Sequence, residues 1–200
     1  MKVLNLTRGA TIYTSNVYLI TGTWNALDDV NTLIDVGRDP AVLDKLRNAS
    51  TGVGKKRVEQ VVLTHNHYDH CSLLPRIKKE FNPVIYAFSP SVKGVDFLLK
   101  DGASLKIGDC RFEILHTPCH SRDSICLYCA RKGALFTGDT PVIIHSAGGT
   151  YENSFLEAMN RLCRRDIQTI YPGHGEPIFG NCNERIKKSR DYVQKSLNGS

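Results

Sequence analysis

The stretch Val61-Val62-Leu63-Thr64-His65-Asn66-His67-Tyr68-Asp69-His70, residues 61–70, runs from an apolar, β-branched segment directly into three histidines and an aspartate. Val61 to Leu63 has the character of a short buried strand. In extended chain, residues i and i+2 point the same way, so His65 and His67 can reach one cation together. Asp69 and His70 follow as the chain turns towards the next helix, and aim at a second position nearby. Imidazole and carboxylate are ligands for Zn, Fe or Mn. Scattered surface histidines are the ordinary alternative, and this density of ligand types at a strand end fits it poorly.

Four ligands do not complete two metal sites, and three other places along the chain offer more. His120 follows Leu115-His116-Thr117-Pro118-Cys119, at the end of a strand expected over 110–116. Asp139 stands in Leu135-Phe136-Thr137-Gly138-Asp139-Thr140, and His174 in Ile170-Tyr171-Pro172-Gly173-His174-Gly175. Each emerges from an apolar segment into a turn. A carboxylate such as Asp139 can join two cations through its two oxygens.

Around these motifs the chain alternates strands and helices without an internal repeat. Residues 16–20 and 31–35 read as paired strands, with a turn over Trp24 to Asp29. A helix is expected over 40–49, with Asp39 as cap and Pro40 at its first position. Further strands are expected at 60–63, 83–87, 104–107, 110–116, 124–130, 134–137 and 167–171. Helices are expected at 73–80, 153–163 and 184–197. Phe155, Leu156, Met159 and Leu162 recur on one helical face. Two halves, each with strands and then helices, predict an α/β fold (α+β by some schemes). It is a four-layer αββα sandwich of two mixed sheets, formed by residues 1–200 as a single domain.

Composition is that of an ordinary globular chain, 41% hydrophobic and 23% charged. No apolar run reaches membrane-spanning length, and the N-terminus lacks the pattern of a signal peptide. Seven cysteines are an odd number; without a leader, reduced thiols in the cytoplasm are expected. Cys126 and Cys129 form a single CxxC inside a strand, where they point to opposite faces, so they are read as buried small hydrophobes. The net charge of +6 comes from groups at Lys55-Lys56-Arg57, Arg76/Lys78/Lys79, Arg161/Arg164/Arg165 and Arg185/Lys187/Lys188/Arg190. These read as solvated faces, with steering of an anionic substrate as the alternative. No nucleic-acid-binding module is recognisable. The partner expected is a small-molecule substrate, and a homo-oligomer stays open.

With these motifs in order, the chain resembles the metallo-β-lactamase superfamily. HxHxDH stands as His65-Asn66-His67-Tyr68-Asp69-His70, an early strand aspartate matches Asp35 in LIDVG, and His120, Asp139 and His174 follow in sequence. The resemblance implies two divalent metal ions, with Zn in first place and Fe or Mn as the other options. The first would be held by His65, His67 and His120, and the second by Asp69, His70 and His174. Asp139 would bridge them, and Asp69 and Asp139 would carry the catalytic role. Asp35 would orient a ligand histidine without binding metal. Among subgroups the pattern is similar to short glyoxalase II-like hydrolases of esters, thioesters or lactones. Two other chemistries use similar ligands: a mononuclear-iron persulfide dioxygenase-type oxidoreductase, and a phosphodiesterase or nuclease. The helical extension that binds glutathione in glyoxalase II has no counterpart in the short stretch after His174.

Cys119 stands where such relatives commonly have glycine, so this turn either avoids positive φ or tolerates strain. Cys71 and Cys119 are read as packing residues. His116 is read as a partly buried strand histidine. His145, in the loop after Asp139, is a candidate for substrate contact. Tyr68 faces away from the ligands beside it and is expected to pack, with pocket lining as the alternative; Tyr151 is open between the same two roles.

Overall fold

The computed structural model describes residues 1–199. Two six-stranded sheets face each other. The first has the order β1 (Lys2–Asn5), β2 (Tyr18–Thr21), β3 (Thr32–Ile34), β4 (Gln60–Val62), β5 (Val84–Ala87) and β6 (Phe97–Leu98). The second runs β12 (Ile178–Phe179), β11 (Thr169–Pro172), β10 (Ala134–Gly138), β9 (Ile125–Cys129), β8 (Cys110–His116) and β7 (Ser104–Ile107). Both are mixed: β3, β4, β5 and β6 run parallel, as do β10 and β11, and the other pairs are antiparallel.

The central strands β2, β3, β4, β9 and β10 are buried on both faces, so they read as largely continuous apolar runs rather than as alternating ones. Tyr18, Ile20, Ile34 and Val62 meet Phe112, Ile114, Leu127 and Phe136 between the sheets. Their neighbours Leu19, Leu33 and Val61 point outward, onto α1 (Ala41–Asn48) and α3 (Leu74–Phe81). Leu115, Cys126 and Leu135 point outward from the second sheet, onto α4 (Asn153–Cys163) and α5 (Cys182–Asn198). This gives the αββα layering. Cys126 and Cys129 fall in different apolar clusters, on opposite faces of β9.

Long elements lie close to their expected bounds. Helix α1 begins one residue late, with Pro40 in the capping position, while the Asp39 carboxylate accepts the Ala41 N–H at 3.0 Å. Strands β1, β6 and β12 were not expected from sequence. All three sit at sheet edges, and two of them are two residues long, so periodicity leaves them almost no signal. Among the described residues, no helix is long and apolar enough to cross a membrane.

Candidate metal centre

The seven ligand-type residues come from both sheets and meet at one end of the sandwich. Their ligand atoms form two groups, His65/His67/His120 and Asp69/His70/Asp139/His174, within each of which all atoms lie within 4.8 Å of one another. The segment leaving β4 carries His65 and His67, the short helix α2 (Tyr68–Cys71) carries Asp69 and His70, and His120 comes from the loop after β8. The α2 turn is pinned by its own backbone: Val36 and Gly37 donate to the His70 carbonyl at 2.9 and 3.1 Å, and Ser15 donates to the Asp69 carbonyl.

His120 sits in a loop closed by hydroxyls. Ser121 Oγ donates to Asp123 at 2.8 Å, and Thr117 N–H donates to the Ser124 carbonyl at 2.9 Å. Positive φ in the chain is confined to glycines and to Asn25, Asp35, Asn82 and Asn181 among the described residues, so Cys119 needs no left-handed backbone. Asp139 follows a register shift between β10 and β11 at Phe136/Gly138, a local bulge that re-aims the side chain after it. The His174 turn is held by Asn16, which bonds the Pro172 and Gly175 carbonyls through its amide at 2.9 and 2.8 Å.

Asp139 lies between the two groups. Its Oδ2 is 3.5 Å from His120 Nε2 and 3.5 Å from His174 Nε2, and its Oδ1 is 3.2 Å from His70 Nε2. His174 Nε2 approaches Asp69 Oδ2 at 3.0 Å. Four of the converging atoms, His65 Nε2, Asp69 Oδ2, His70 Nε2 and Asp139 Oδ1, are buried yet make no aligned hydrogen bond. Buried polar atoms are rarely left so. Lone pairs aimed at shared points rather than at each other are what cation ligands need, and the donor set fits divalent metals.

Asp35 explains how the ligands are held. It is buried, and its backbone is left-handed at φ 57°. Oδ1 accepts the Thr64 N–H at 2.8 Å; Oδ2 accepts the Thr64 hydroxyl and the His70 Nδ1–H, each at 2.8 Å. A proton held on Nδ1 by Asp35 means that, once the second proton is displaced, His70 would turn its Nε2 lone pair to the centre. Thr64 Oγ1 also lies 3.1 Å from His65 Nδ1, so one carboxylate orients ligands of both groups. Replacing Asp35 by Asn keeps the shape but weakens this orientation. Metal affinity of Asp35→Asn is expected to fall about 10–100-fold, read by competition with a chromophoric chelator.

Electrostatics divide the two groups. Burial, aided by the neighbouring His70, lowers His65 to about 4, and burial also lowers His120. Burial opposes charge on His70, but the Asp35 and Asp139 carboxylates outweigh it and raise it to about 10; the Asp139 carboxylate beside His174 raises that imidazole too. Burial works against charge on Asp139, and the adjacent His174 and His70 imidazoles overcome it, holding the carboxyl far below the usual carboxylate range. At neutral pH, therefore, His65 offers a free lone pair, whereas a cation must displace a proton from His70. Cation binding at the Asp69/His70 group is expected to release protons, and its affinity to rise with pH up to about 10. Calorimetric titrations in buffers of different ionisation heat would measure the released protons directly.

The remaining candidates fall in several places. Tyr151 lines a cavity of about 350 Å³ together with Cys119, His120 and Arg122, and stacks on Phe155. Cys119 is thus exposed to this cavity and does not pack in the interior, whereas Cys71 is half-buried against the first helical layer. Tyr68 does not pack either: it is 68% exposed, with the Arg38 guanidinium 5.4 Å over its ring. The side chain is at the first turn of α2, which the alternation of an extended strand does not describe. His145 lines a different cavity from the one bordered by His120, Asp139 and His174. His116 is half-buried, stacked on Phe88, with Nε2 2.8 Å from the Arg122 carbonyl. Sequence reading passed over Tyr13, whose ring stacks on His174 at 5.1 Å; it lies 161 residues away along the chain, with no local signal.

Most of the basic groups are engaged within the protein. Lys78 pairs with Asp96, Arg161 with Asp101 and Arg165 with Glu113, at 2.6–2.7 Å. Lys55 bonds the Ala26, Leu27 and Asp29 carbonyls, and Arg57 the Ala49 carbonyl.

Residues 10–93 match the family model for the metallo-beta-lactamase superfamily. A Schizosaccharomyces pombe protein described as "Probable hydroxyacylglutathione hydrolase" is 35% identical over 142 residues, covering 68% of this chain and 53% of its own. The cytoplasmic isozyme of hydroxyacylglutathione hydrolase from Saccharomyces cerevisiae is 34% identical over 166 residues, 71% of this chain and 58% of its own. An atrochrysone carboxyl ACP thioesterase of Aspergillus fumigatus is 27% identical over 169 residues, 82% of this chain and 52% of its own. The chain thus spans little more than half the length of these relatives. In fold, it superposes on a metallo-beta-lactamase family protein of Thermus thermophilus with a TM-score of 0.68 at 20% identity, over 99% of this chain and 80% of the other. A beta-lactamase domain protein of Burkholderia ambifaria gives 0.71 at 18% identity, over 98% and 73%.

Proposed function

This chain belongs to the metallo-β-lactamase superfamily, and from that premise we propose that it is a metal-dependent hydrolase of a small ester, thioester or lactone, working through a dinuclear centre. The observation that carries the reading is the position of Asp139, within 3.5 Å of ligand nitrogens in both groups. Names of the relatives, hydrolases of hydroxyacylglutathione and of an acyl-carrier thioester, support the thioester class.

Bound divalent cations, Zn in first place, supply a hydroxide nucleophile at neutral pH and polarise the carbonyl under attack. The chain's own residues set the geometry for this. His65, His67 and His120 would hold one cation through their imidazoles, and Asp69, His70 and His174 would hold the other through two imidazoles and a carboxylate, with Asp139 standing between the two groups. Asp35 and Thr64 hold the tautomer and tilt of the buried histidines. Cys119 is not needed as a nucleophile: burial, with the Glu152 charge, pushes its thiol up, away from the reactive thiolate. The carbonyl end of a substrate reaches the cluster through the cavity of about 340 Å³ bordered by His120, Asp139, Val142, Ile143 and His174.

Elemental analysis of the purified protein beside Asp69→Ala tests the reading. About two zinc ions per chain, falling to about one in the variant, together with turnover in a panel of thioesters, esters and lactones, is the expected result. One iron per chain, unchanged in the variant, would instead transfer the protein to oxygen chemistry on persulfides.

A further inference from the structure

We propose that the cleft between residues 143–145 and helix α5 is an anion-binding subsite. It receives a carboxylate or phosphate carried by an elongated substrate at the end remote from the scissile carbonyl. The inference rests on the hydrolase reading for its substrate and on separate residues for its site. The cleft, about 290 Å³, is lined by Ile143, Ile144, His145, Arg185 and Lys188, with no acidic side chain among them. Elsewhere, Arg161, Arg165 and Lys78 are each paired with a carboxylate. Arg185 and Lys188 are exposed and form no ion pair with a carboxylate among the described residues; the Lys188 ammonium lies 5.8 Å over the Tyr192 ring, a contact that leaves its charge uncompensated. Cations gathered in a concave site without counter-charges are placed for an anion from outside.

The cleft is built rather than incidental. Arg185 and Lys188 are three residues apart on α5, so they share a face. One position further on, the buried Ser189 hydroxyl accepts the Ile144 N–H at 2.8 Å and donates to the Arg185 carbonyl at 2.8 Å. That single hydroxyl ties the loop carrying His145 to the helix carrying both cations. The subsite also connects with the metal centre: Ile143 lines this cleft and the cavity bordered by His120, Asp139 and His174. A ligand with its carbonyl at the metal ligands would cross the apolar Val142–Ile143 wall and end at Arg185 and Lys188. That order, with a reactive carbonyl, an apolar middle and an anionic end, describes the substrate class.

The test uses two probes with capped sulfur, which keeps them off a thiophilic cation: S-methylglutathione, carrying carboxylates, and S-methyl-coenzyme A, carrying phosphates. Each is titrated by calorimetry and by amide chemical shifts into the whole protein, Arg185→Ala/Lys188→Ala, and Lys2→Ala/Lys132→Ala, which removes equal charge elsewhere. At least one probe is expected to bind, to shift residues 143–145, and to bind about tenfold or more weakly in the first variant while changing little in the second. The probe that binds identifies the anion. No binding by either probe, or equal losses in both variants, would overturn the subsite. Binding at residues 143–145 without turnover of any panel substrate would sink the hydrolase reading and leave the subsite standing. Turnover with probes indifferent to Arg185 and Lys188 would do the reverse.

Discussion

Asp139→Ala is expected to lose at least one metal ion per chain and to lower kcat/KM by about a thousandfold or more. The reason lies in what the carboxylate touches. Its two oxygens reach His70, His120 and His174 at 3.2–3.5 Å, so its removal takes a ligand from both groups at once. It also leaves His70 and His174 without the negative charge that stabilises a cation beside them. The effect should exceed that of Asp69→Ala, which touches one group alone. Metal analysis and turnover of the best panel substrate check it together. A variant that keeps both ions and most of its rate would remove Asp139 from the centre and with it the dinuclear reading.

The second large effect comes from a residue with no side chain. Gly173 packs so closely that an added Cβ would stand 2.2 Å from Asp139 Oδ1, 2.8 Å from the Gly138 carbonyl carbon and 2.9 Å from His70 Cε1. The backbone cannot retreat, because the Gly173 N–H donates to the Gly138 carbonyl at 2.7 Å and its own carbonyl is held by Asn16. Gly138 is equally confined, at φ 48° with Thr64 Oγ1 2.4 Å from where its Cβ would be. Gly173→Ala should therefore displace Asp139 and His70, reduce metal content and destabilise the fold by about 1–3 kcal/mol through overpacking. Melting curves with and without chelator separate the two causes. Metal loss alone would leave the chelated variant and chelated wild type melting together; the steric clash predicts a lower melting point for the variant in both conditions.

Much of the centre was legible in sequence because its ligand types are clustered and local. His65, His67, Asp69 and His70 lie within six consecutive positions, and His120, Asp139 and His174 each close an apolar strand. Chain direction and side-chain alternation are local properties, and they placed these groups at strand ends. Layering was legible for a related reason: strands buried on both faces carry unbroken apolar runs, and Phe155, Met159 and Leu162 mark the covered face of α4. Edge strands β6 and β12 were hidden because two residues carry no period.

What sequence alone determined is the identity and order of the candidate ligands, together with most of the strands and helices that carry them. Short-range rules of periodicity and turn chemistry suffice for that. Tertiary structure decided everything that depends on two distant segments meeting. Only the packing of one sheet on the other brings His120, Asp139 and His174 against the β4 ligands. It also stacks Tyr13 on His174 and presses Gly173 onto Asp139. It sends His145 away from the candidate ligands to line a cleft with Arg185 and Lys188, and it decides which cations meet a carboxylate. These are distances across the fold, set by how two apolar faces close on each other, and no local pattern in the chain encodes them one by one.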